Sequence, residues 1–222
     1  MKDPLSCLGM WNNKILETNL EERNMGQNIA NAGVFLVQTF FGLYILVIML
    51  RFLIQAVKAD FYNPISQGVV KLTDPGLRPL RRVIPGLRGF DLASLVLAMV
   101  IQIVALVIIF LLSSVPVPGP LRLVLWSALG LLSLTLKIYY FSLIGMIIVS
   151  WIAPYSNHPA VVLVHQLVEP ICTPARKLLP PMGGLDFSVM LVFVFIILID
   201  SFLVVQPLRV LLGIPPGLIL GL

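Results

Sequence analysis

Lys137 and Asp200 are opposite charges set inside two long apolar stretches of the chain, where an ionisable side chain is costly unless it is paired or lines a polar path. Lys137 lies 16 residues before Ala153 and Asp200 lies 13 residues after Phe187, which at 1.5 Å per helical residue is about 24 Å and about 20 Å from the same ends of their stretches. The similar depths point to an ion pair, or, in a sharper reading, to a path for protons or cations. Arg51 lies near the end of another apolar stretch, close enough to an interface for its side chain to snorkel to the headgroups. His158 and His165 are seven residues apart and share a helix face, but no third ligand accompanies them. Capping and interfacial hydrogen bonding are therefore expected of them rather than metal or haem ligation. Cys7 and Cys172 are far apart and outside any paired spacing, the pattern of reduced structural thiols. The sequence has no nucleophile–base pairing, Gly-rich phosphate loop or cluster with metal-ligand spacing. The expectation is a protein that is not an enzyme and holds no cofactor or metal.

A larger constellation occurs twice. Asp74, Pro75, Pro79, Arg81, Arg82 and Pro85 return 95 residues later as Glu169, Pro170, Pro174, Arg176, Lys177 and Pro180. The same displacement, without a gap, carries Gly89 and Asp91 onto Gly184 and Asp186, and Asn63-Pro64 onto His158-Pro159. So many positions keeping register identify an internal repeat. Each copy connects two apolar runs, so the unit is apolar helix, basic proline-rich connection, apolar helix.

The composition says what solvent these units need. Of 222 residues, 59% are hydrophobic and 11% charged, with mean hydropathy +1.01, whereas soluble domains carry about 25% charged residues. The expected fold is an all-α polytopic membrane protein with four transmembrane helices near residues 31–57, 92–112, 123–153 and 187–205. Residues 1–30 are expected to be a disordered extension, with the working start at Met25. Residues 31–113 form the first repeat, 114–122 a Pro-rich link, 123–206 the second repeat, and 207–222 an apolar interfacial tail. The repeat favours a single third helix over two short ones broken at Lys137. The net charge of +5 comes without a basic stripe interleaved with aromatics, so nucleic acid is not an expected partner.

The connections carry their own pattern. Ile65, Val69 and Leu72 recur at helical spacing after Pro64, then Leu77, Leu80 and Ile84 lie opposite Arg78, Arg81 and Arg82. Pro79 and Pro85 are expected to limit any helix there to a turn or two. Val161, Val164, Leu167 and Val168 repeat the form in the second copy. Such segments suit the headgroup layer, with apolar faces in acyl chains and cations on anionic lipid headgroups. Two readings stand: a platform that docks lipid or protein partners, and a pair of re-entrant hairpins that seal against the helix ends. A direct repeat puts both connections on one side of the membrane. They hold eight Lys/Arg against five on the other side, which the positive-inside rule places in the cytoplasm, with both termini periplasmic.

The repeated residues resemble the YggT family of small bacterial inner-membrane proteins, called YlmG in Gram-positive bacteria and plastids. The resemblance covers about Met25 to Pro207. It implies a multi-pass inner-membrane protein, and relatives have been linked to osmotic and potassium stress, to cell division or nucleoid organisation, and in plastids to haem attachment. Two functions are consistent with it: a non-enzymatic scaffold or assembly factor docking membrane-protein partners, with homo-oligomers left open, or an ion- or solute-permeation component using Lys137 and Asp200.

Overall fold

The computed structural model of the protein describes residues 4–84, 91–153, 156–178 and 187–204, with Val210 and Gly213; of 4–24, Phe187 and 202–204 it describes the backbone course alone. Among these residues the chain is helical and has no strand. Helix α1 is Pro4–Ala56, α2 Pro64–Val83, α3 Leu92–Leu112, α4 Pro120–Ile152, α5 Pro159–Leu178 and α6 Phe187–Leu198, which continues as a π-helical stretch, Ile199–Val204. Met25–Ala56, Leu92–Leu112 and Pro120–Ile152 are long and apolar enough to cross a membrane. The fourth apolar helix is shorter, Ser188–Ser201 among the described residues, or about 21 Å at 1.5 Å per residue against a hydrocarbon core of about 30 Å. The molecule is an all-α polytopic membrane protein.

Local chemistry accounts for several boundaries. Asn63 caps α2, its Oδ1 accepting from Ile65 N–H at 2.9 Å, with Pro64 at the first helical position, where a missing N–H costs nothing. Asp91 caps α3 through Ser94. α4 runs unbroken through Lys137; Thr135 Oγ1 donates to Leu131 O at 2.8 Å, so its hydroxyl bonds within the helix instead of interrupting it.

Three expectations are corrected. The backbone of residues 4–24, expected to be disordered, continues α1 upstream; no proline follows Pro4 within that stretch. The prolines do not cut the connections short, for α2 and α5 are each 20 residues long with Pro75, Pro79, Pro170 and Pro174 inside them. A helical proline frees the carbonyl four residues before it, and here all four prolines lie on the exposed flank, where water or headgroups can satisfy that carbonyl. Over residues 64–83 and 159–178 the connections are therefore continuous helices. Finally, the stripe that α2 buries is Ser66, Val69, Thr73 and Leu77, while Leu72 faces outward. Apolar periodicity overlooked this stripe because two of its members carry hydroxyls.

α1 and α3 pack closely, and α2 lies against both. Ile45, Ile48, Met49 and Leu53 of α1 meet Leu97, Ala98 and Ala105 of α3, with Leu77, Leu131, Ile138 and Leu167 joining from α2, α4 and α5. A second core joins Leu143 and Met146 of α4 to Val168 and Cys172 of α5 and Val192 and Ile196 of α6. Cys172 stands 95 residues after Leu77, and both are fully buried.

Candidate functional site

At the α2 end of the first repeat, four charged residues converge. Arg51, near the end of α1, is 4% exposed. Its Nη1 donates to Val70 O at 3.0 Å, Thr73 Oγ1 at 2.6 Å and Asp74 Oδ1 at 2.8 Å. Thr73 passes the chain on by donating to Val69 O at 2.7 Å. Arg51 Nε lies 3.8 Å from Asp91 Oδ2, and the same carboxylate oxygen accepts from Arg81 Nη2 and, at 2.7 Å, from Ser94 Oγ. Arg78 stands 3.9 Å from Asp74 on the outer side. One guanidinium thus ties α1 to α2 and to the start of α3. Arg51 does not snorkel: its end of α1 is covered by α2, and half-buried Asp74 and buried Asp91 stand beside it as counter-ions.

Burial alone would raise the carboxyl of Asp91, whose side chain is 4% exposed. Hydrogen bonds from Arg81 and Ser94 and the charge of Arg81 outweigh it and hold the group below the usual carboxylate range. The positive end of α3 favours the same charge. Asp91 thus joins Arg51 and Arg81, and the cluster acts as a clasp between helices. Beside it lies a cavity of about 570 Å³ lined by Arg51, Gln55, Phe61, Val70, Arg81, Ile84 and Asp91.

Of the residues read from the sequence, Asp74, Arg81 and Asp91 meet here. Arg82 points away and is exposed. Asn63 serves the pairing of the two copies: its Nδ2 donates to Pro159 O at 2.7 Å, and Asp60 N–H donates to Gln166 Oε1 at 3.0 Å. In the second copy Arg176 turns to Glu169, at 2.8 and 3.0 Å from its two oxygens, and Lys177 is exposed. His158 Nδ1 accepts from Ala160 N–H at 3.3 Å, a cap at the start of α5. Pro85, Gly89, Pro180, Gly184, Asp186 and the tail from 207 lie outside the described residues, apart from Val210 and Gly213. Thr73 and Ser94 escaped the motif reading. Their signal was in the register: Arg51, Thr73 and Ser94 stand 95 residues before Met146, Val168 and Val189, so these three positions turn apolar together while Glu169, Arg176 and Asp186 keep the charges of Asp74, Arg81 and Asp91.

Lys137 and Asp200 line one cleft between α4 and α6, about 300 Å³, with Leu136, Tyr140, Phe141, Ile196, Ile197 and Ser201. The two charges face one cleft, but no ion pair within 4.0 Å joins them. Asp200 Oδ1 accepts from Ser133 Oγ at 3.5 Å.

Comparison with known proteins follows the same repeat. The CCB3/YggT family profile matches residues 30–112 and again 125–207, two matches displaced by the repeat length at both ends. A protein of Pseudomonas aeruginosa, named only as uncharacterized, is 47% identical over 188 residues, 84% of this chain and 95% of its own. The uncharacterized protein YggT of Escherichia coli K12 is 38% identical over 174 residues, 77% of this chain and 88% of its own. No solved structure matches. With both repeats matched, and relatives aligned over most of their length, the chain belongs to the CCB3/YggT family.

Proposed function

We propose that the protein is a non-enzymatic scaffold or assembly factor of the bacterial inner membrane, whose paired connecting helices dock other membrane proteins and anionic lipid headgroups on the cytoplasmic face. One observation carries the reading. α2 and α5 meet at their N-termini through Asn63 and Pro159, and they present Lys71, Arg78, Arg82 and Lys177 outward beside exposed Leu72, Val83 and Leu178. Arg78 is 80% exposed, and basic and apolar side chains share the outer side of the connecting helices, the combination that an interfacial docking surface requires. The excess of Lys/Arg on the connections supports a cytoplasmic position. Crosslinking in native membranes with mass spectrometry tests it: Arg78→Glu/Arg82→Glu/Lys177→Glu should accumulate normally and lose the crosslinked neighbours of the wild type. An unchanged set of neighbours would refute the platform.

A second reading, ion or solute permeation, draws on the cleft holding Lys137 and Asp200. A scaffold keeps its partners in the Lys137→Leu/Asp200→Leu double variant, whereas a permeation component loses flux in liposomes.

A further inference from the structure

The two repeats differ most at the cleft. Shifting Lys137 and Asp200 back by 95 residues gives Gly42 and Ala105, small residues in the contact where α1 and α3 pack closely; small side chains let membrane helices approach. In the second repeat long charged side chains occupy those positions; α4 and α6 meet through Tyr140 and Phe193, whose rings stack at 4.9 Å, and a cavity opens beside that contact. At Asp200 the helix changes to π geometry, a widened turn often associated with functional positions. The rim residues Phe141 and Ile197 are exposed apolar side chains. Among the described residues no carboxylate comes within 4.0 Å of the Lys137 amine.

A cation and an anion on one open face are complementary to a rotated copy of themselves. In a two-fold dimer every contact is reciprocal: if residue i meets j, then j meets i. When the axis runs along the membrane normal, depth is preserved, so only residues at matching depth can meet. Lys137 and Asp200 meet that condition because they line the same cavity. We propose that this cleft is the interface of a parallel homodimer, in which Lys137 pairs with the partner subunit's Asp200 and Asp200 with the partner subunit's Lys137. The apolar rim packs against its copy and shields both pairs from lipid. The inference is independent of the docking platform, which lies on α2 and α5.

Charge reversal distinguishes pairing between copies from pairing within one. Two differently tagged full-length chains, co-expressed and purified in mild detergent, should co-purify as wild type. Lys137→Asp alone sets carboxylate against carboxylate across the axis, and Asp200→Lys alone sets amine against amine. Each variant should lose self-association by more than about tenfold. Mixing the two restores both pairs, so a Lys137→Asp chain should co-purify with an Asp200→Lys chain. A monomeric wild type, variants that self-associate normally, or a mixture that stays apart would each overturn the proposal. Should the reversed chains fail to fold, Phe141→Cys in one copy and Ile197→Cys in the other, on a Cys7→Ala/Cys172→Ala background, should form an inter-copy disulfide in native membranes. Its absence overturns the proposal equally.

Discussion

Arg51 shows how much one side chain can fix. Its Nη1 faces a backbone carbonyl, a hydroxyl and the Asp74 carboxylate while its Nε faces Asp91, a span between two carboxylates that a planar guanidinium makes and a point-like ammonium does not. Removing one member of a buried charge cluster leaves the others uncompensated, so Arg51→Met, which installs the residue of the second copy, should lower stability by about 3–5 kcal/mol. Thermal unfolding in detergent measures this. Thr73→Val should cost about 1.5–3 kcal/mol through the lost hydrogen bond to a charged group. The same change in an Arg51→Met background should cost clearly less, because its partner is already gone; strict additivity would show that the two side chains act separately. Asp91 adds a pH dependence. Its carboxyl is lowered in the folded protein by Arg81 and Ser94, which overcome the effect of burial. Its contribution is therefore complete above the ordinary carboxylate range, about pH 4, and is lost as pH falls through the lower native value. Asp91→Asn should be less stable at neutral pH and should lose less stability on acidification, which a series of melting temperatures from pH 7 to pH 3 will show.

The connecting helices depend on contacts that their own composition does not supply. α2 tolerates two internal prolines because Ser66, Val69, Thr73 and Leu77 hold its other face against the bundle. Gly76 contributes by having no side chain: a Cβ there would lie 3.0 Å from Tyr44 Oη and 3.1 Å from Leu97 Cδ2. Gly76→Val should thus push α2 off α1 and α3 at a cost of about 1–3 kcal/mol, visible as faster hydrogen exchange in residues 64–83 before the apolar helices open. Asn63 has two duties, the cap of α2 and the bond to Pro159 O. Asn63→Ala should cost about 1 kcal/mol for the cap alone. It should also raise exchange at the start of α5, which a purely local cap would leave untouched.

At the level of the whole molecule the two copies are related but no longer equivalent. The first closes α1 onto α3 and keeps the Arg51 clasp; the second has Met146, Val168 and Val189 in place of Arg51, Thr73 and Ser94, keeps a Glu169–Arg176 pair, and opens a charged cleft. Both connections nevertheless meet at one end of the bundle. Single cysteines at Lys71 and at Thr173 should therefore react from the same side of the membrane. In intact cells both should resist an impermeant reagent if that side is cytoplasmic. Labelling from opposite sides would refute the repeat architecture itself, and labelling of both in intact cells would reverse the orientation alone.

The sequence by itself determined the class of solvent, the repeat and the extent of α3 and α4. Leu92–Leu112 is bounded as its apolar run predicts, and α4 is single as its register with α1 implies. These features are local or periodic: uninterrupted apolar length, a fixed spacing of prolines and charges, a capping residue before a run. The tertiary structure decided which charges meet. Arg51 lies 23 residues from Asp74 and 40 from Asp91, and nothing along the chain distinguishes a side chain reaching the headgroups from one covered by α2. The path of α2 through Pro75 and Pro79 was likewise decided by packing, since propensity counts the lost hydrogen bonds and cannot count the buried face that offsets them. For Lys137 and Asp200 the sequence set the expected depth, and the tertiary structure decided that they line one cleft without forming an ion pair, although α4 and α6 pack together beside it.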